Sequence, residues 1–204
     1  MTAFTMPCCR SSTSLSAFAR LVALLLFALA APPLATAAEI EVKSAQISLG
    51  EEGYVLDAEF AIDLGPRLEE LVSHGVALYF VTELDLSRPR KYWIDDHIAC
   101  RTQTWRLSYH ALTRQYRLAA GALHQSFATL DEALRVLSRL RNWPVADKGL
   151  IAPGETYSAA LRMKLDLTQL PKPFQVTAIG SKDFKLTAEI RRWNFTVAAE
   201  SMAK

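Results

Sequence analysis

Apolar and polar side chains alternate over several stretches of the chain, which is the pattern of strands with one buried face. Residues 54–64 and 157–167 show it most clearly, with acidic residues on the polar side of the first and mainly basic residues on that of the second. Such alternation is typical of antiparallel sheets, because parallel strands are usually buried on both faces. The remaining predicted strands cover residues 40–49, 76–86, 91–109, 116–120, 174–180 and 186–197, and the run 91–109 is expected to break near Asp95 and Asp96.

Two of these strands break their own alternation. After Val42 the apolar phase shifts by one position, which predicts a β-bulge or an edge strand. Within residues 186–197, Leu186 and Ala188 share one parity, whereas Trp193 and Phe195 share the other. One extra residue near Arg191 would reconcile the two halves of this strand.

Two helices are predicted between the strands. The first starts at Pro66, which suits the opening turn of a helix, and ends at Gly75. The second starts with a capping box formed by Thr129 and Glu132, and Pro144 is expected to stop it. Its apolar face is expected to comprise Leu130, Ala133, Leu134, Leu137 and Leu140.

These elements predict a mainly β (α+β) fold. About eight strands at short spacing are typical of an antiparallel β-sandwich, here expected to be immunoglobulin-like with two short helices at its ends or edges. Residues 38–204 are predicted to form one domain, since domains commonly hold about 100–200 residues.

Residues 1–37 have the features of a cleavable secretory signal peptide. Arg10 and Arg20 provide positive charge, residues 21–31 are unbroken apolar sequence, and Ala35 and Ala37 are the small residues of a cleavage site. The apolar run is shorter than the roughly 20 residues that cross a bilayer. We therefore expect cleavage after Ala37, a periplasmic location and no transmembrane segment in the mature chain.

Charge and cysteine content narrow the classes of function. The net charge of +2 disappears once Arg10 and Arg20 leave with the leader, so the basic excess of a nucleic-acid-binding protein is missing. Cys8 and Cys9 also lie in the leader. Cys100 is then the remaining cysteine, which excludes an intramolecular disulfide, and we expect it to be a buried small apolar residue.

A polar group at Asp95, Asp96, His97 and Cys100 is the clearest candidate for catalysis or metal binding. These residue types ligate transition metals, and a thiol beside a base can act as a nucleophile. On a regular strand, however, Asp95 and His97 point to one side while Asp96 and Cys100 point to the other. We expect no catalytic residue, metal or cofactor here, and a hydrolase or metalloenzyme built on Asp95, His97 and Cys100 stays as the alternative.

The candidate interaction surface is a hairpin with aromatic residues beside its tip. Tyr109 and Tyr116 are predicted to face each other across it, and Thr113, Arg114 and Gln115 form the polar tip. Tyrosine and arginine are enriched among the residues that contribute most to the energy of interfaces.

Five segments in order resemble one protein family over nearly the whole mature chain. They are VALYFVTELDL at 76–86, LSYHALTRQYRL at 107–118, SFATLDEAL at 126–134, NWPVAD at 142–147 and LDLTQLPKPFQV at 165–176. The chain thereby resembles an exported proteobacterial family known as domain of unknown function 4390. The resemblance implies an association with a membrane sensor kinase of the nitrogen-regulation type, and it assigns no active-site residue.

Taken with the leader, these observations predict a non-enzymatic periplasmic protein that binds a partner or ligand at the cell envelope. The partner is expected to be an envelope protein, with a membrane sensor kinase as one candidate. Besides the enzyme alternative, a purely structural or chaperone-like envelope domain is a third possibility.

Overall fold

Two antiparallel sheets dominate the computed structural model, which describes residues 38–90, 95–180, 184 and 186–197. Strands β1, β2 and β7 form a three-stranded sheet in that order, and the other six are ordered β6-β5-β4-β3-β8-β9. The strands are β1 (Glu39–Leu49), β2 (Gly53–Asp63), β3 (Leu78–Arg88), β4 (Asp96–His110), β5 (Gln115–Ala120), β6 (Leu123–Phe127), β7 (Arg139–Asp147), β8 (Thr156–Leu165) and β9 (Arg191–Thr196). The helices are α1 (Gly65–Ser73), α2 (Leu130–Leu137) and α3 (Lys172–Gly180).

The arrangement is sandwich-like, and the prediction of a mainly β, antiparallel fold is confirmed. An immunoglobulin-like topology is not confirmed. In the larger sheet β3, β4, β5 and β6 follow one another as neighbours, whereas the immunoglobulin fold divides its strands into ABED and CFG sheets. The signal peptide predicted at residues 1–37 lies outside the described residues.

The core lies between the two sheets, where the period-two pattern of the sequence places apolar side chains. On β3, alternate residues from Leu78 to Leu86 are buried, and the residues between them are partly exposed. Residues 54–60 of β2 and residues 157–165 of β8 follow the same rule. The buried side chains of both sheets belong to one continuous cluster, so burial of these alternate positions is the main stabilising contribution of the fold.

The two predicted irregularities are confirmed. On β1 the pairing with β2 shifts between Val42 and Ser44, which is a bulge at Lys43. Near β9, Thr187 bridges to Lys164 and Arg191 pairs with Leu161. Three steps along β8 thus match four steps along the returning chain, which is the one extra residue that the apolar phase required.

Helix α1 forms where the sequence predicts it. Pro66 lies in its first turn, where the missing N–H is no loss, and Leu68 and Val72 are fully buried on its inner side. The helix stops before Gly75, whose φ of 87° is a left-handed conformation that suits glycine.

Helix α2 begins as predicted but ends earlier. Thr129 Oγ1 accepts a hydrogen bond from the Glu132 N–H at 3.3 Å, and the Glu132 carboxylate accepts one from the Ala128 N–H at 3.2 Å. The prediction that the helix continues through Leu140 is wrong, because it ends at Leu137 and β7 follows at once. The backbone hydrogen bonds offered by β2 outweigh the helical spacing of the leucines.

The segment 174–180, predicted as a strand, is helical instead. Its helix α3 starts just after Pro171, whose carbonyl accepts a hydrogen bond from the Phe174 N–H at 2.9 Å. Proline fits the first turn of a helix, so Pro173 favours this start despite the β-branched residues that follow. Strand β6, in turn, was not predicted from the sequence.

Candidate interaction surface

The hairpin predicted at residues 107–118 exists, with β4 and β5 as its arms. Leu107 pairs with Leu118, Tyr109 with Tyr116, and His110 with Gln115, and residues 111–114 form the turn. The hairpin therefore brings together all five residues of the predicted interaction surface. We call Tyr109, Leu112, Thr113, Arg114, Gln115 and Tyr116 the tyrosine hairpin.

The two tyrosines of this hairpin contact each other directly. Their ring centroids are 4.9 Å apart with an interplanar angle of 49°, a tilted arrangement that aromatic pairs favour. Both rings are partly buried and pack against the core, next to the fully buried pair of Leu107 and Leu118. The pair thus anchors the end of the hairpin to the domain.

Beyond this anchor, the tip projects into solvent. Leu112 is 92% exposed, a feature that the sequence analysis did not single out. Arg114 has a φ of 52°, the left-handed region that non-glycine residues rarely adopt. Thr113 Oγ1 lies 3.2 Å from His110 Nδ1, which ties the turn to the end of β4. Within the described part of the chain, Arg114 forms no ion pair.

A bulge changes the geometry of the polar group on β4. Asp85 of β3 pairs with Cys100, and Ser87 pairs with His97, so Ile98 is the extra residue. His97 and Cys100 consequently share the outer face of the larger sheet with Asp85. The prediction that His97 and Cys100 point to opposite sides of a regular strand is therefore wrong.

Asp85 is the residue of this region that the sequence analysis missed. Its Oδ1 lies 3.2 Å from His97 Nδ1, and both side chains are substantially exposed. The signal was present in the alternation of β3, whose odd-numbered residues face away from the core. The pairing of β3 with β4 was needed to show that His97 lies on this outer face, next to Asp85.

The two neighbouring aspartates bind arginines instead. Asp96 Oδ2 accepts hydrogen bonds from Arg88 at 2.9 Å and from Arg90 at 2.8 Å, and Arg88 also donates to Glu155 at 2.9 Å. The hydrogen bond from Arg88 is the main cause that lowers the pKa of Asp96 and that of Glu155. Asp95 accepts a longer bond from the Arg90 N–H at 3.4 Å. Asp95 and Asp96 are thus held in an arginine network at the end of β3.

Cys100 is exposed, so the expectation of a buried small apolar residue is wrong. It pairs with Asp85 on the polar face of the sheet, whereas the core lies on the opposite face. In the described ranges, no group of three or more His, Cys, Asp and Glu side chains is arranged to hold a metal ion.

Two clefts lie away from the tyrosine hairpin and from the contact between Asp85 and His97. One of about 500 Å³ lies between the β1–β2 turn and β7 and includes Glu52, Arg101 and Asp147. Another of about 400 Å³ lies between α1 and α3 and is lined by Leu71, Phe174 and other residues. Among the described helices, none combines the length and the apolar character needed to cross a bilayer.

The fold and this surface define a mainly β, two-sheet domain with a projecting aromatic hairpin. The model of the family described as a domain of unknown function, DUF4390, matches residues 37–194. The chain belongs to this family, as the ordered sequence segments predict. No curated protein and no solved structure is similar enough to the chain to count as a match.

Proposed function

We propose that this chain is an exported, periplasmic, non-enzymatic protein that binds an envelope partner through the tyrosine hairpin. The observation that carries the proposal is the combination at one hairpin end of an anchored tyrosine pair and a projecting Leu112 and Arg114. A tip of this kind is preorganised, because the core holds its base, so little conformational entropy is lost on binding.

The chemistry of the tip indicates the chemistry of its partner. Leu112 offers an apolar contact, and the adjacent Arg114 offers a guanidinium that is not paired within the described residues. A matching surface would present an apolar pocket beside a carboxylate. A membrane sensor kinase of the nitrogen-regulation type is the first partner to test, since the family resemblance implies this association.

Site-specific photocrosslinking in cells tests the proposal. A photoreactive residue in place of Leu112 should capture one envelope protein, and the same residue in place of Val176 should not. Val176 is the matched control, because it is 76% exposed and lies on α3. Equal capture from both positions would show that contact is not specific to the hairpin.

Arginine substitutions provide the second arm of this experiment. Arg114→Ala should weaken capture, whereas Arg117→Ala should leave it unchanged, because Arg117 is exposed on β5 within the same hairpin but outside the tip. If capture survives Arg114→Ala but is lost when His97 and Cys100 are both replaced by alanine, the polar group is the functional site and the proposal is wrong.

A second candidate function rests on the bulge in β4. It places Cys100, His97 and Asp85 on one face, which are the residue types of a nucleophile, a base and a group that orients the base. This would be a cysteine hydrolase. An esterase assay of the unchanged protein, Cys100→Ser and His97→Ala tests this function. If all three proteins have the same activity, the cysteine hydrolase is ruled out.

A further inference from the structure

The larger sheet has one edge that lacks the usual protection against pairing with another chain. The two sheets end in four edge strands, namely β1 and β7 in the smaller sheet and β6 and β9 in the larger. An edge strand leaves a row of backbone N–H and C=O groups unpaired. Proteins usually protect such edges with charged residues, prolines or bulges.

Three of the four edges carry these features. Strand β1 has the bulge at Lys43, and Arg191 donates to two of its carbonyls. Strand β7 contains Arg141 and Pro144, and β9 contains Arg191 and Arg192. Each of these edges therefore disfavours the addition of a further strand.

Strand β6 has none of them. It reads LHQSF, and from Leu118 to Leu130 the chain has no Asp, Glu, Lys, Arg or Pro. Its first four residues are exposed, and the apolar side chain of Leu123 is 79% exposed. The strand pairs with β5 in an unbroken register, so no bulge twists this edge away.

We propose that β6 pairs antiparallel with β6 of a second copy of this chain, so that the larger sheets of two molecules become continuous. The sequence of β6 is self-complementary in this arrangement. A two-fold axis beside Gln125 places Gln125 opposite Gln125 of the other copy and Leu123 opposite Phe127. Leu123, Gln125 and Phe127 share one face, the face on which Phe127 packs against the core.

The absence of charged residues from this edge favours pairing with a second copy over pairing with a different protein. An uncharged strand has no electrostatic means of selecting a foreign strand, and it does not repel a copy of itself. The exposed Leu123 becomes covered by an aromatic residue that each copy already holds in place. Covering the exposed leucine in this way removes apolar surface from water, which is favourable.

The contact of two five-residue strands is small. Stable interfaces bury about 1,200–2,000 Å² in total, and a single strand pair buries less. We therefore expect an equilibrium between monomer and dimer that depends on concentration. Sedimentation velocity of the purified protein from micromolar to millimolar concentration measures this equilibrium.

Two substitutions at the symmetry axis test the register. Gln125→Lys and Gln125→Glu each place like charges opposite one another, so each variant alone should dimerise about tenfold more weakly or not at all. An equimolar mixture should recover the association, because the axis then brings opposite charges together. Leu112→Lys is the control, because it adds the same charge at an exposed leucine outside β6 and should leave the dimer unchanged.

Three results would overturn this proposal. The first is a monomer throughout the concentration range, and the second is a dimer that survives Gln125→Lys. The third is loss of the dimer with Leu112→Lys, which would assign the contact to the tyrosine hairpin. A far-ultraviolet circular dichroism spectrum of each variant verifies that its fold is intact.

Discussion

The guanidinium of Arg191 on β9 donates a hydrogen bond to the carbonyl of Val42 on β1, with a nitrogen-to-oxygen distance of 3.0 Å. The same nitrogen lies 3.1 Å from the carbonyl of Lys43. Both carbonyls lie at the β1 bulge, where the ladder with β2 is interrupted. Arg191 thus joins the two sheets at the β1 bulge.

A second arginine joins the sheets on the opposite side. Arg101 of β4 donates through Nε to the carbonyl of Val145 on β7 at 3.2 Å. Strands β1 and β7 are the two edges of the smaller sheet, so both edges receive a guanidinium from the larger sheet. This arrangement limits strand addition at the smaller sheet while leaving β6 open.

We predict that Arg191→Met lowers the free energy of unfolding by about 1–3 kcal/mol, because two hydrogen bonds from a charged donor are lost, one of them partly buried. Arg192→Met is the matched control. Arg192 pairs with Ala160 on the outer face of the sheet, and an exposed change of this kind costs less than about 0.5 kcal/mol. Urea unfolding of both variants measures the difference, and equal losses would contradict a special role for Arg191.

The end of α2 gives a second prediction. Leu137 is 1% exposed in the last turn of the helix, whereas Leu134 is only partly buried. Leu137→Ala should therefore cost about 2–5 kcal/mol and Leu134→Ala clearly less. Thermal and urea unfolding of the two variants test this order. A larger loss for Leu134→Ala would mean that the helix presents another face to the core.

The positions of β2, β3 and β8 were predictable from the sequence because burial on one face leaves a period-two signal. The β1 bulge and the extra residue before β9 were predictable for the same reason, since each shifts the apolar parity. Helix and strand are harder to separate where both periods fit, as at residues 138–147. Leu137 and Leu140 have helical spacing, yet Leu140 and Trp143 are buried on a strand that pairs with β2.

For the candidate site, only contacts between residues close in sequence were predictable. The hairpin residues from Tyr109 to Tyr116 are close in sequence, so their proximity follows from a turn. The contact between Asp85 and His97 depends on a bulge in a long-range strand pair, and nothing in the local pattern around residue 97 encodes it. The exposure of Cys100 follows from the same pairing.

The arginine network predicts how stability depends on pH. In the folded protein the pKa values of Asp96 and Glu155 lie below their ordinary values of 3.8 and 4.5, mainly because both accept hydrogen bonds from Arg88. Their contribution to stability is therefore present above about pH 4.5 and is lost as the pH falls through the lowered pKa values.

We expect Arg88→Met to remove this contribution and to make the acid loss of stability shallower. Arg67→Met is the control, because the exposed Arg67 only approaches Glu70 at 3.7 Å. Unfolding free energies at about pH 7 and about pH 3 for both variants measure the two slopes. An unchanged slope for Arg88→Met would show that other carboxylates dominate acid unfolding.

Because Arg114 has a left-handed backbone conformation, a glycine at this position allows its effect on stability to be measured separately from its effect on partner binding. Glycine adopts a φ of 52° without the steric penalty of a Cβ atom. Arg114→Gly should therefore leave the free energy of unfolding unchanged or raise it by up to about 1 kcal/mol. Capture of the proposed envelope partner should nevertheless weaken, since the guanidinium is lost. A variant that is equally stable and binds normally would exclude Arg114 from the contact.

The exposed thiol of Cys100 gives the last prediction. Because Cys100 lies on the solvent-facing side of the sheet, iodoacetamide should modify it in the folded protein, with no requirement for unfolding. The modification should leave the melting temperature nearly unchanged, since the core lies on the other face. Intact mass spectrometry follows the rate of modification, and protection of the thiol until denaturant is added would contradict the outward position of Cys100.

The rate of modification of Cys100 in the His97→Ala variant distinguishes the two candidate functions. If the chain is a binding protein, the rate should be the same in this variant. If His97 acts as a base for the thiol, the rate near neutral pH should fall, because less thiolate is formed.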